Sequence, residues 1–144
     1  MIRNKNVTLL RVLLAAVLAL TAMPKAHAES LIVEAESFSK RGGWVVDQQF
    51  MDLMGSPYLI AHGMGVPVSD AVTTLNINSG GTYYVYVRTY NWTSPWSAKP
   101  GAGAFEVSVG GKRLRTVGQT GNRWQWQKAG TVRLKAGATQ LRLH

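Results

Sequence analysis

Apolar and polar positions alternate with a period of two along most of the chain beyond residue 28, and helical spacing is almost absent. Leu31-Ile32-Val33-Glu34-Ala35-Glu36 predicts a short first strand, and Trp44-Val45-Val46, introduced by Gly42-Gly43, predicts a second. Residues 47–67 are broken by Gly55, Pro57, Gly63, Gly65 and Pro67. They predict a long loop with room for a helical turn in its first half and a short strand at Tyr58-Leu59-Ile60. Residues 71–77 predict a strand with Val72, Thr74 and Asn76 on one face and Thr73, Leu75 and Ile77 on the other. Residues 82–90 (TYYVYVRTY) form the strongest run, dense in aromatic and β-branched side chains that suit a pleated surface. A loop rich in Pro, Gly and Trp follows at 91–103. Phe105, Val107 and Val109 then alternate up to Gly110-Gly111, a two-residue hairpin signal leading into 112–117. Runs at 124–129, 132–134 and 139–143 complete the pattern.

Strands about ten residues apart with glycine turns between them predict an all-β, antiparallel, jelly-roll-like sandwich of about eight strands. The sequence stops at His144, directly after an alternating run. Either that run is the last strand, or the sequence is a fragment lacking its final strand.

The first 28 residues belong to a different pattern. Arg3, Lys5 and Arg11 precede an apolar stretch from Val12 to Met23, and Ala26-His27-Ala28 reads as a small-x-small cleavage site. Residues 1–28 are therefore expected to be a signal peptide and residues 29–144 the mature domain, with no membrane span after cleavage. That domain is expected in the periplasm, at the cell surface or outside the cell. It has no Cys, so no disulfide framework supports it. The leader also inflates the net charge of +9: residues 29–144 keep 12 basic and 7 acidic residues, a net of +5. The basic residues are scattered, which argues for a solvated surface and against nucleic acid, and leaves acidic polysaccharide as a partner for the same charge.

An ordered set of segments carries a resemblance. Glu34-Ala35-Glu36 comes first, then the Tyr-Val-Tyr-Val-Arg strand and the FEVSVGGKRL hairpin. Gly121, Trp124 and Trp126 follow, and V-x-L-x-x-G-x-x-x-L-x-L closes the chain. Together these resemble the galactose-binding-like β-sandwich modules, in particular carbohydrate-binding modules of the family 6 and family 35 type, over residues 31–144. The segment from Gly43 through VRTYNWTSPW is similar to a module attached to secreted bacterial FAD-dependent oxidoreductases or polysaccharide-degrading enzymes. No G-x-G-x-x-G follows a strand, so neither flavin nor nucleotide is expected in this chain.

The resemblance implies that Glu34 and Glu36 are ligands of a structural Ca²⁺, completed by an acidic residue on the final strand. No acidic residue lies beyond Glu106, so that ligand is missing from the sequence. On a regular strand the two carboxylates share a face and repel unless a cation or water intervenes, and a solvated acidic edge is the alternative.

Catalysis lacks parts. Neighbouring carboxylates on one strand face approach a sugar from one side, whereas glycoside hydrolysis needs two groups about 5–10 Å apart across it. Of the three histidines, His27 lies in the expected leader, His144 is the last residue of the sequence and His62 stands alone, and no nucleophile elbow is present. Binding is better supplied, because indole faces stack on the apolar C–H faces of sugars. Trp92, Trp96, Trp124, Tyr90 and Arg88 are the expected ligand contacts, with Trp92 and Trp96 exposed and one of Trp124 and Trp126 in the core. Packing is the expected role of Tyr84 and Tyr86. Asn91-Trp92-Thr93 matches the glycosylation pattern, but the leader and the resemblance both point to a bacterium, where such a match carries no weight. The function expected is non-catalytic binding of a polysaccharide or oligosaccharide beside a secreted enzyme. The alternative is the N-terminal fragment of an FAD-dependent oxidoreductase, in which this domain is a docking cap presenting Tyr58 and Met64 to a catalytic domain.

Overall fold

The computed structural model describes residues 29–63, 66–96 and 103–144, so the leader expected at 1–28 and Met64 lie outside the described residues. In chain order the strands are β1 (Trp44–Asp47), β2 (Tyr58–Ala61), β3 (Ala71–Ile77), β4 (Gly81–Thr89), β5 (Val107–Val109), β6 (Lys112–Arg113), β7 (Gln125–Leu134) and β8 (Gly137–Leu143). One helical turn, α1 (Met51–Met54), lies between β1 and β2. Every pairing is antiparallel. The described strands make a four-stranded sheet in the order β3-β8-β5-β6, a β4–β7 pair and a β1–β2 pair.

Alternation explains how these layers meet. Ile77, Val107, Val109 and Leu143 point inward from the four-stranded sheet. Ala129, Val132 and Leu134 of β7, with Tyr83, Val85 and Val87 of β4, pack against the same core. Two sheets thus cover one apolar interior, the arrangement of an antiparallel β-sandwich. Residues 139–143 do form a strand. It is internal, since β8 pairs with β3 from Ala71↔Leu143 to Ile77↔Gly137 and with β5 on its other side.

Several elements differ from the sequence expectation. The run 31–36 is not a strand: it ends in a 3₁₀ turn at Ala35–Ser37. The Ser37 hydroxyl and backbone N–H both donate to Glu34 O, at 2.6 and 3.1 Å, and a local turn replaces sheet pairing. The turn delivers Phe38 into the core. Glu34 and Glu36 consequently do not share a strand face. Residues 124–129 and 132–134 are not separate strands, because β7 runs through Ala129 and Gly130. The register shifts between Val85 and Tyr86, so that Ala129 is an extra residue on β7 and a β-bulge absorbs it. The partner of β5 shrinks to two residues, beyond which the Leu114 N–H donating to Val107 O and the Phe105↔Val117 bridge join the same stretches.

Glycine is required at the β5–β6 turn, where Gly110 and Gly111 take φ values of 58° and 80°. A two-residue hairpin with both φ angles positive is open to few other residues. At Gly42, φ is 59° and a Cβ would collide with the Asp70 carbonyl oxygen, so the approach of the chain to β3 also depends on glycine.

Phe38 brings the irregular N-terminal stretch onto the sandwich interior with almost none of its surface exposed. Phe38→Ala is expected to cost about 3–5 kcal/mol, a large part of the roughly 5–15 kcal/mol that holds a domain of this kind together. Urea unfolding of the two proteins measures it. A loss well under 1 kcal/mol would show that the N-terminal stretch is not part of the cooperative core.

Candidate functional site

At one end of the β4–β7 pair the chain builds an aromatic cluster. β4 runs into Tyr90, and Trp124 immediately precedes β7. The segment from β1 through α1 to β2 supplies Phe50 and Tyr58. Tyr58 meets Trp124 edge-on at 4.9 Å between ring centroids, Phe50 meets Tyr90 at 5.0 Å, and Tyr90 lies 5.5 Å from Trp124. The Trp124 Nε1 is buried with no hydrogen-bond partner among the described residues, so packing alone orients the indole.

Polar contacts hold the covering segment in place. The Tyr58 hydroxyl donates to Asp47 Oδ2 at 2.9 Å and accepts from the Phe50 N–H at 3.1 Å. Asp47 Oδ1 accepts from the N–H groups of Gln48 and Gln49. Burial pushes the Asp47 carboxyl up, but hydrogen bonds from Gln49, Tyr58 and Gln48 outweigh it and hold the group below its ordinary value. Burial likewise raises the Tyr58 phenol. Arg88 Nη1 donates to Met54 O at 2.9 Å, tying α1 to β4, and its guanidinium carbon lies 6.0 Å from the Trp124 ring centroid.

Beside this cluster lies an open depression of about 260 Å³ lined by Leu53, Arg88, Tyr90, Asn122, Arg123 and Trp124. Three of the five ligand contacts named from the sequence, Arg88, Tyr90 and Trp124, come together there. Trp92 and Trp96 do not line it. They are exposed and pack on each other with ring centroids 6.3 Å apart. Leu53, Asn122 and Arg123 carry no motif that would have singled them out. Of the two tryptophans on the final approach, Trp124 is the partly buried one, while Trp126 is 63% exposed.

Of the core or cross-strand packing expected of Tyr84 and Tyr86, the core is ruled out by exposures of 64% and 53%, while Lys128 of the paired strand packs on Tyr84. The alternating valines 85 and 87 face the core instead, so the tyrosines face out. Tyr58, expected on a docking face, is buried. Asn91 is buried too, its amide donating to Gly118 O and Gln119 O at 3.0 and 3.1 Å.

Glu34 and Glu36 stand on the 3₁₀ turn, and no group of three or more His, Asp or Glu side chains with metal-holding geometry occurs among the described residues. Two carboxylates would supply only part of the six to eight oxygens of a calcium shell, the rest of which would fall to backbone carbonyls and water.

A Ser-His-Asp sequence of contacts occurs on the other sheet. Ser108 Oγ lies 2.7 Å from His144 Nε2, and His144 Nδ1 lies 3.1 Å from Asp70 Oδ2. Arg142 Nη1 also donates to Asp70 Oδ2 at 3.0 Å. Acyl transfer needs free donors aimed at an oxyanion as well as an activated serine. Ser108 instead sits mid-strand, opposite Arg142 on one side and Arg113 on the other, away from the depression. The array acts as a clamp between the approach to β3, the middle of β5 and the end of β8.

No protein-family model matches the sequence, and no curated protein sequence matches it. Solved structures do. A family 35 carbohydrate-binding module from Clostridium thermocellum superposes with a TM-score of 0.59 at 19% identity, over 81% of this chain and 87% of that one. A family 35 module from an environmental isolate gives 0.51 at 22% identity, over 74% and 77%. A GH26-CBM35 β-(1,4)-mannanase from Podospora anserina gives 0.57 at 20% identity, over 77% of this chain. This chain spans only 23% of the mannanase's length. The fold is therefore the β-sandwich of carbohydrate-binding modules.

Two outcomes check the clamp. The Arg142 hydrogen bond, with His144 adding to it, holds Asp70 below its ordinary value of 3.8. A carboxylate depressed in the folded state contributes stability that is complete above the unfolded value and lost as pH falls through the folded one. Asp70→Asn should thus lower the melting temperature near about pH 6, and the deficit should shrink as the pH falls below the ordinary value of 3.8. A deficit that persists in acid would show that the contact is not ionic. Second, Ser108 should not react with a fluorophosphonate probe. Labelling that disappears in His144→Ala would show an activated nucleophile.

Proposed function

We propose that this chain is a non-catalytic carbohydrate-binding module, and that its sugar site is the depression formed by Arg88, Tyr90, Asn122, Arg123 and Trp124. The observation that carries the reading is the partly buried Trp124 ring, fixed by Tyr58 and Tyr90 beside a guanidinium and an amide. A rigid indole offers a stacking face at little entropic cost, while Arg and Asn side chains suit the in-plane hydroxyls of a sugar ring. The sandwich fold of family 35 modules supports the same reading.

Export through residues 1–28 and action beside a secreted enzyme belong to this proposal. A tethered module raises the local concentration of substrate around its partner without supplying chemistry. Of the two residues that would mark a docking cap, Tyr58 is buried and Met64 lies outside the described residues.

Affinity electrophoresis against a panel of neutral and acidic polysaccharides tests the reading. Retardation should weaken by roughly tenfold in Trp124→Ala and in Tyr90→Ala, the usual scale for removing a central aromatic anchor. Trp92→Ala, on the separate tryptophan pair, should change it by less than about threefold, as expected of a residue outside the central contact. A folded protein that no polysaccharide retards would end the sugar reading.

A further inference from the structure

Two hydrogen bonds on β3 show which of its backbone groups face β8 and which face outward. The Val72 N–H donates to Lys40 O at 2.7 Å, and Val72 O accepts from the Lys40 N–H at 3.0 Å. Backbone groups alternate sides along a strand, so Thr74 and Asn76 aim theirs outward with Val72, while Thr73 and Leu75 serve the ladder to β8. Gln140, opposite Thr74, agrees: its carbonyl turns away from β3 and accepts from the Gly110 N–H at 2.9 Å. Lys40 covers this outer edge only at Val72, because the chain bends at Ser39 and the 3₁₀ turn before it lies against β2. Thr74 and Asn76 are exposed, and no described residue bonds their outward backbone groups.

Soluble proteins ordinarily blunt such an edge with charge, proline, a bulge or a very short strand. The other edge of this sheet follows that rule: β6 is two residues long, and both, Lys112 and Arg113, are basic and exposed. β3 does not. Its seven residues, Ala71–Ile77, include no charge and no proline, and its register against β8 is unbroken. A second copy fits this edge through its own symmetry. Two identical strands paired antiparallel about Leu75 set Thr74 opposite Asn76 at both ends, and each such pair exchanges both of its N–H···O bonds. The side chains that meet on the outer face are then uncharged, so two copies of a basic chain touch here without cation opposite cation. On the inner face Leu75, already partly buried against the core, gains the Leu75 of the second copy as an apolar neighbour.

We propose that two copies of this chain associate through the outer edge of β3, antiparallel about Leu75, joining their four-stranded sheets into one continuous sheet. So short a contact belongs with weak, reversible interfaces. No β3 residue lines the depression, so each copy keeps its own and the pair presents two. The association stands whatever the depression binds.

Sedimentation equilibrium of the full chain, from about 10 µM to about 1 mM, tests the pairing over a range that reaches weak association. The average mass of the parent protein should climb toward twice that of one chain. Thr74→Lys/Asn76→Lys puts ammonium directly opposite ammonium at both pairs and should weaken association by roughly tenfold or more. Thr74→Lys/Asn76→Glu puts opposite charges there instead and should restore association to within about threefold of the parent. The substituted side chains are exposed and their N–H groups lie off the β8 ladder, so thermal melts close to the parent's show that both variants are folded. A parent protein that stays a single chain throughout would overturn the association. So would a dimer that the paired-lysine variant leaves intact, because its contact lies elsewhere. Failure of the lysine–glutamate variant to restore what the paired lysines remove would overturn the antiparallel register about Leu75.

Discussion

The pairing of β4 with β7 is the contact on which most else depends. Nine residues of β4 find partners along β7, and their alternation sends Val85 and Val87 toward the interior while Tyr84 and Tyr86 face out. The interior side is completed by β3, β5 and β8 through Ile77, Val107, Val109 and Leu143. A one-residue slip would exchange these faces, burying phenol hydroxyls and exposing valines. The bulge at Ala129 is what lets both halves of β7 keep the correct face: the extra residue resets the alternation so that Ala129, Val132 and Leu134 all remain buried.

The same pair positions the aromatic cluster. Tyr90 and Trp124 sit just beyond the last pairing, Thr89↔Gln125, and are brought side by side by the register alone. What completes the cluster comes from elsewhere in the chain. The α1 segment is fastened by Arg88 to Met54 O and by the Tyr58–Asp47–Phe50 contacts. These are few and partly exposed, so this cover is held less firmly than the sheets beneath it.

How much could be read from the sequence follows from the range of the interactions concerned. β3 was legible to the residue and β4 to within one, because period-two alternation is a local property. The Gly110-Gly111 turn was legible for the same reason. The stretch 31–36 was not, since a β-branched run ending in Glu-Ala-Glu-Ser suits a strand until the Ser37 hydroxyl closes a turn on Glu34 O. Ala129-Gly130 looked like an interruption because a bulge is defined by its partner strand. For Tyr84 and Tyr86, a run of alternating Tyr and Val offers two apolar faces, and only the second sheet decides which is covered. In the site, Arg88, Tyr90 and Trp124 were visible as residue types. Leu53 and the contact from Arg88 to Met54, 34 residues apart, have no local signature.

Asn91 sits in a glycosylation sequon that the folded chain has already put to use. Its Nδ2 donates to two carbonyls, and its Oδ1 accepts from the Thr93 hydroxyl, the sequon's own third residue. A glycan attached to that nitrogen would have to pass where Gly118 and Gly103 approach it. In a eukaryotic secretory host, an oligosaccharide added during translocation would therefore compete with closure of the 103–121 region over Asn91. The choice of expression host becomes a structural variable for this protein, and a bacterial cell avoids the conflict.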